Sequence, residues 1–318
     1  MEEQSKRPTI SRRKVLAGMA ATAGVSAVVA GGAYGITELV KDSEATASEP
    51  NLKSHFIDKD VPAEDPESGL WGRATAQRIA LEAQSVIVPL KKALPDKRDI
   101  LVRSLHDGTT IGFLLEWHDP DRDEHTIKID AFRDACGVFL GAFPANPALW
   151  TMGMPDSPVT ILHWKADWQK DVDDGFQDLE VAFPNVDFEF YPPLVGVTNP
   201  KIPDDYPEEV RNRLPGWAVG NPISQPTKTS PVEKVRAIGP GTVTHLATQN
   251  ATGKGIWRHG KWKVALAKLL SAADEEEVAL AAGQTYSLAF TVWSGVDSDR
   301  GSRKSLTKLG KLDVEAAS

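Results

Sequence analysis

The chain is poor in sulfur: 318 residues contain one cysteine, Cys136, and four methionines. A lone thiol makes no internal disulfide, no four-thiolate iron–sulfur centre and no C-x-x-C-H attachment of a c-type haem. Any such group would have to be held by another chain. Basic residues are short too, 36 Lys and Arg against 44 Asp and Glu, for a formal net charge of -8. No global positive field exists to hold a phosphate backbone, so nucleic acid is not expected as a partner. There is no G-x-S-x-G, no phosphate-loop glycine pattern and no histidine pair at helical i, i+4 spacing. Nothing therefore nominates a nucleophile, a nucleotide cradle or a zinc site. The acidic turn Trp117–Asp121, with Asp123 and Glu124, lacks the ordered spacing and central glycine of a calcium loop.

What is present points outward and to strands. Ser11-Arg12-Arg13-Lys14 precedes an Ala, Gly and Val stretch that carries no charge until Glu38, the pattern of a twin-arginine export signal. Ala45-Thr46-Ala47 offers the small residues a signal peptidase takes, so residues 1–47 are expected to be the signal segment and 48–318 the mature domain. An uncleaved anchor is the other reading, since the run is long enough to span a bilayer. Either way the domain is expected in the periplasm or on the outer face of the cytoplasmic membrane. The route carries proteins already folded, often with a cofactor-bearing partner.

With 25 glycines, 22 prolines and nine tryptophans, the composition suits a loop-rich β protein. Arg98–Ser104 and Thr110–Trp117 flank His106-Asp107-Gly108 and read as a hairpin. Thr126–Phe132, Ala135–Phe143 and Val159–Trp164 read as further strands. Gly255–Leu270 around His259-Gly260, and Val278–Trp293 around Gly283-Gln284, read as two more hairpins. Residues 192–234, rich in Pro, Asn and Asp, read as a long loop insertion with a short helix near 202–213; Ala74–Gln84 reads as another helical segment. Many short strands without alternating helices predict an all-β, antiparallel sandwich.

Two residue types carry candidate chemistry. Outside the signal region the methionines are confined to Leu149-Trp150-Thr151-Met152-Gly153-Met154-Pro155. A thioether is a soft ligand suited to haem iron, although methionine more often fills gaps in a core. The polar segment Asp297–Lys308 carries Arg300, Arg303 and Lys304 directly after the aromatic strand Ala289–Trp293. An exposed basic turn is one reading of it. A metal ligand is the other, because burial disfavours the ammonium and a metal captures the neutral amine.

Phe132-Arg133-Asp134-Ala135, Met152-Gly153, and Pro158-Val159 running into His163-Trp164-Lys165-Ala166-Asp167 form an ordered set. Gly255-Ile256-Trp257 with Gly260-Lys261-Trp262, Ala289-Phe290-Thr291-Val292-Trp293 and Arg303-Lys304-Ser305 continue it. Together they resemble the haem-b-binding gamma subunits of the ethylbenzene dehydrogenase family, which includes subunits of dimethylsulfide dehydrogenase and of chlorate, selenate and nitrate reductases. The resemblance implies a β-sandwich of the extracytoplasmic cytochrome kind holding one haem b between a methionine and a lysine. It places the methionine on Met152, with Met154 as alternative, and the lysine on Lys304, with Lys261 and Lys263 as competitors. It also implies a non-catalytic electron-transfer role beside a molybdenum-containing alpha subunit and an iron–sulfur beta subunit, with an external carrier such as a cytochrome c. The family usually continues Arg-Lys-Ser into a tryptophan-containing strand; here Leu306–Leu312 has Leu309 instead. The rival reading is a secreted carbohydrate- or solute-binding sandwich whose exposed tryptophans stack on ligand. Trp164, Trp262 and Trp293 lie in strand patterns and are expected in the core.

Overall fold

The computed structural model describes residues 49–91, 98–144, 152–177, 179–186, 215–225 and 227–317. The expected signal segment, the helix expected near 202–213 and most of the expected insertion lie outside these residues. Among the described residues the strands are β1 (Asn51–Phe56), β2 (Gln77–Ala83), β3 (Arg98–His106), β4 (Thr110–His118), β5 (Ala135–Gly141), β6 (Val159–Lys165) and β7 (Val232–Ala237). They continue with β8 (Thr244–His245), β9 (Thr252–Arg258), β10 (Lys261–Leu269), β11 (Thr285–Trp293), β12 (Ser305–Leu306) and β13 (Gly310–Val314). One helix longer than a turn or so, α1 (Ala166–Asp174), follows β6.

The strands run β8-β7-β6-β5-β11-β12-β2-β3-β4-β10-β9, with β1 beside β13 and β3, and β13 beside β11. All pairings are antiparallel except those of β1 with β13 and β3. Two of the three expected hairpin turns form, each for local reasons. Asp107 Oδ1 accepts from the backbone N–H of Thr109 (2.8 Å) and Thr110 (2.7 Å) between β3 and β4. His259 and Gly260 both adopt positive φ, 51° and 71°, the geometry of a tight turn whose twist matches its strands.

Strand alternation builds the layers. On β5 the even positions Cys136, Val138 and Leu140, and on β11 Leu288, Phe290 and Val292, face the main core. There they meet Ile79 and Leu81 of β2, Ile100 and Val102 of β3, Phe113 and Leu115 of β4, and Val264 and Leu266 of β10. The result is a sandwich with its core between β7-β6-β5-β11 and β2-β3-β4-β10-β9. Trp117, Trp164 and Trp262 interlock in that core, with ring centroids 4.9 to 6.4 Å apart. The fit leaves no spare room: a Cβ on Gly255 would come within 2.2 Å of the Trp164 ring.

Three expected elements differ. Gln77–Ala83 is strand β2, not helix: Ile79 and Leu81 alternate into the core and pair with Ile100 and Arg98. Propensity yields here to a half-buried strand flanked by β3 and β12. Thr126–Phe132 forms no strand but a run of bends and turns, because no neighbouring strand takes up its backbone groups. Val278–Ala281 is no strand either; it is tied by Leu280 N–H to Leu270 O (2.8 Å) and Val278 N–H to Thr160 Oγ1 (2.8 Å), so only β11 remains of that hairpin. The run read as insertion ends earlier than expected, since β7 begins at Val232.

Candidate functional site

The other face of β5, β6, β7 and β11 is not packed by a second sheet. Its odd positions on β5 are Ala135, Gly137 and Phe139, and those on β11 are Ala289, Thr291 and Trp293. Most of these are small, and they floor a cavity of about 610 Å³. Phe139, Ile161, Val235 and Ala289 form one apolar cluster there, and Met152 and Leu309 pack against it. A pocket of this size and apolar character falls in the ~300–1,000 Å³ range of cofactor and ligand sites.

Met152 and Lys304, distant in sequence, meet in this cavity. Lys304 Nζ lies 3.6 Å from Met152 Sδ. Each is positioned by its backbone. Met152 has φ 77°, a left-handed conformation that costs a non-glycine residue roughly 1–2 kcal/mol. Its carbonyl accepts from Gly239 N–H at 2.9 Å. The following Gly153 has φ 86°, and a Cβ there would meet Ala237 O at 2.8 Å, so the Met-Gly pair fits against the end of β7 only as Met-Gly. Lys304 immediately precedes β12, the two-residue strand that bridges the layers by pairing with β11 and β2. Its carbonyl accepts from Gln84 N–H at 2.9 Å.

Lys304 is distinguished by having no counter-ion among the described residues. Other buried lysines have carboxylates: Lys91 with Asp297 and Asp299, Lys165 with Glu233, and Lys234 and Lys268 with the two oxygens of Glu277. Lys304 is 8% exposed; its Nζ faces the Met152 thioether and lies 4.9 Å from the centroid of the Trp293 ring. Burial alone pushes its ammonium down to about 8, so the neutral amine, with a free lone pair, is accessible near neutral pH. An uncompensated buried ammonium is costly, whereas an amine facing a soft thioether suits a metal held between them.

The remaining candidates are elsewhere. Met154 pairs with Ser157 in an isolated bridge and does not line the cavity. Lys261 and Lys263 lie on β10, opposite His118 and Glu116 of β4, away from the cavity. Trp164 and Trp262 are in the main core as expected; Trp293 is buried too, but at the cavity, which it lines while donating Nε1–H to Gly301 O at 3.0 Å. The odd register of β11 turns it to the open face. Trp71, Trp117 and Trp168 are buried as well.

Residue reading alone missed His163, which stacks on Trp293 at 4.7 Å between ring centroids and lines the cavity. Burial, then the nearby charges of Lys165, Arg133 and Lys304, hold its imidazole well below the usual histidine range, hence neutral. The run of small residues at alternate positions of β5 and β11 was the signal available for this open face. Asp299, in the loop before Lys304, anchors that loop: it accepts from Lys91 and from Ser294 N–H (3.2 Å).

Comparison with known proteins gives the arrangement a context. The model of a family described as ethylbenzene dehydrogenase matches residues 68–305. The dimethylsulfide dehydrogenase subunit gamma of Rhodovulum sulfidophilum is 20% identical over 247 residues, 74% of this chain and 69% of that one. A protein of Haloferax mediterranei described as a respiratory nitrate reductase heme subunit is 30% identical over 76 residues, 24% of this chain. The match spans only 28% of that relative's length. Among solved structures, a carbohydrate-binding protein of Bacteroides uniformis aligns with TM-score 0.44 at 11% identity, covering 85% of this chain and 100% of that one. A family 9 carbohydrate-binding module of Caldicellulosiruptor kristjanssonii aligns with TM-score 0.35 at 10% identity, covering 83% and 96%. The family match takes in the strands that floor the cavity, Met152 and Lys304, and this chain belongs to the ethylbenzene dehydrogenase family.

Proposed function

We propose that this chain is the haem-bearing gamma subunit of an exported molybdoenzyme complex, relaying single electrons between an iron–sulfur subunit and an external carrier such as a cytochrome c. Its family and its gamma-subunit and haem-subunit relatives support this reading. The observation that carries it is the carboxylate-free, buried Lys304 amine facing the Met152 thioether in an apolar cavity. Both side chains are unbranched and flexible, so they can part around a metal without a change in backbone. The residues present therefore fit a b-type haem, which needs no thiol from the chain.

A haem bound there supplies a one-electron couple at its iron. The chain's own contribution is to hold and tune it. Met152 would hold it as the thioether ligand, favouring the reduced metal, and Lys304 as the amine ligand, a harder donor that pulls the other way. With Met152 and Lys304 both supplied by the chain, a haem held there would offer an oxygen molecule no open site. Phe139, Ile161, Val235 and Leu309 exclude water and keep the surroundings of low polarity, the lever by which a protein shifts a reduction potential. No nucleophile or general acid–base pair is needed, consistent with a partner alpha subunit carrying the substrate chemistry. The twin-arginine stretch supports an exported location.

The test is an absorption spectrum of purified protein, oxidised and dithionite-reduced, with a pyridine haemochrome assay. One low-spin b-type haem per chain is expected. Met152→Ala and Lys304→Ala should each convert the spectrum to one with an open coordination position, while Lys263→Ala leaves it unchanged. Well-folded protein that gains no haem on addition of haemin would overturn the reading.

A further inference from the structure

The cavity floor is polar at one end and apolar at the other. Phe139 pairs with Ala289 on one side and Ile161 on the other, and Ile161 with Val235, which makes one apolar row across four strands. Ala135 and Trp293 pair four residues further along, about 13 Å away at the rise of a strand. Beyond this second row stand two arginines that line the cavity, Arg133 and Arg300. The guanidinium of Arg300 sits 4.9 Å over the ring of Phe132, the residue before Arg133.

Neither arginine is used up. Arg133 donates Nη1–H to Asp167 at 2.6 Å. Arg300 donates Nη1–H to Ser298 O at 2.8 Å and has no carboxylate partner among the described residues. A guanidinium carries five N–H donors in a fork that matches a carboxylate. The other charged lining residues are already committed, Asp299 to Lys91 and Lys304 to the Met152 side.

We propose that Arg300, with Arg133 beside it, binds the propionate carboxylates of the haem, and that the row of Phe139, Ile161, Val235 and Ala289 takes the opposite, apolar edge of the ring. The inference rests on the haem reading above and adds which way round the cofactor sits. Haem is itself two-ended, with both carboxylates on one edge, so a floor with one cationic and one apolar end accepts it in a single orientation. The arginines are positioning residues: they touch the cofactor's carboxylates, not its iron.

The test is titration of the full-length, haem-free chain with haem and with haem dimethyl ester, which keeps the iron and ring but lacks the carboxylates. The wild type should bind the diester at least tenfold more weakly than haem, at roughly one charge-assisted contact per arginine. Arg300→Gln should weaken haem binding about tenfold and leave diester binding unchanged, and Arg300→Lys should recover part of the loss. Arg300 is exposed, so these variants are expected to fold, and the comparison of the two porphyrins needs no variant at all. Equal binding of both porphyrins by the wild type, or equal weakening of both by Arg300→Gln, would overturn the orientation while leaving the haem reading standing. Binding of neither porphyrin would overturn both.

Discussion

The sheet formed by β7, β6, β5 and β11 has two faces that contrast sharply. On the inner face, Val138, Trp164 and Phe290 pack against a second sheet, and even a methyl group on Gly255 would collide with Trp164. On the outer face, Ala135, Ala289 and Thr291 leave a cavity of about 610 Å³. Both faces come from the same strands, one residue out of phase. The inner face spends its side chains on packing density; the outer face gives up that contact to leave room for a ligand. Two settings of a buried lysine contrast as well among the described residues. Lys234 and Lys268 share Glu277 on the structural side, whereas Lys304, in the cavity, has no such partner.

The largest effect is expected where packing is densest. Trp164→Ala should cost about 3–5 kcal/mol by leaving a void among Trp117 and Trp262, read as a drop in the denaturant midpoint. A loss below about 1 kcal/mol would mean the inner face is looser than its ring contacts imply. Lys304→Met, by contrast, should stabilise the haem-free chain by about 1–3 kcal/mol, because it removes an uncompensated buried amine and keeps its volume. Destabilisation instead would show that the amine has a structural partner. Ala289→Phe fills the outer cavity; stability in denaturant should change by less than about 1.5 kcal/mol, while haemin uptake should be lost. Retained uptake would place the binding site elsewhere.

The smallest effect concerns acidity beside the aromatic core. Asp134 accepts from Asp123 N–H and Trp262 Nε1–H, both 2.9 Å, and from Gly295 N–H at 2.9 Å. Three donors favour its charged form, so of the two neighbouring acids Asp119 is the one that holds its proton longer. Burial first, then the charge of Asp134, pushes the Asp119 carboxyl up to about 7. A carboxyl raised above its unfolded value of 3.8 binds more protons in the folded state, so stability should fall as pH rises from about 4 to about 7. The decline should shrink in Asp119→Asn without disappearing, because burial also pushes the Asp134 carboxyl up, to about 6; thermal melts across that range read it. A stability that rises through the window would show Asp119 charged in the fold.

Much of this was legible in the chain itself. The hairpin turns at Asp107-Gly108 and His259-Gly260 follow from residues that tolerate positive φ or cap a turn locally. The confinement of both later methionines to one Gly- and Pro-bounded segment marked Met152 as unusual before any contact was known. Less legible were Gln77–Ala83, whose helix-compatible residues become a strand only because β3 and β12 flank them, and Trp293, whose face depends on the register of β11 against β5.

The order of apolar and turn residues determined the strands, their alternation and the candidate ligand types, because those depend on neighbours within a few residues. The tertiary structure decided that Lys304 rather than Lys261 or Lys263 reaches Met152, that His163 and the two arginines border the same cavity, and that one face of a sheet stays open. Each of those depends on segments far apart in sequence being laid side by side in one register; a one-residue slip of β6 or β11 would turn His163 or Trp293 to the other face.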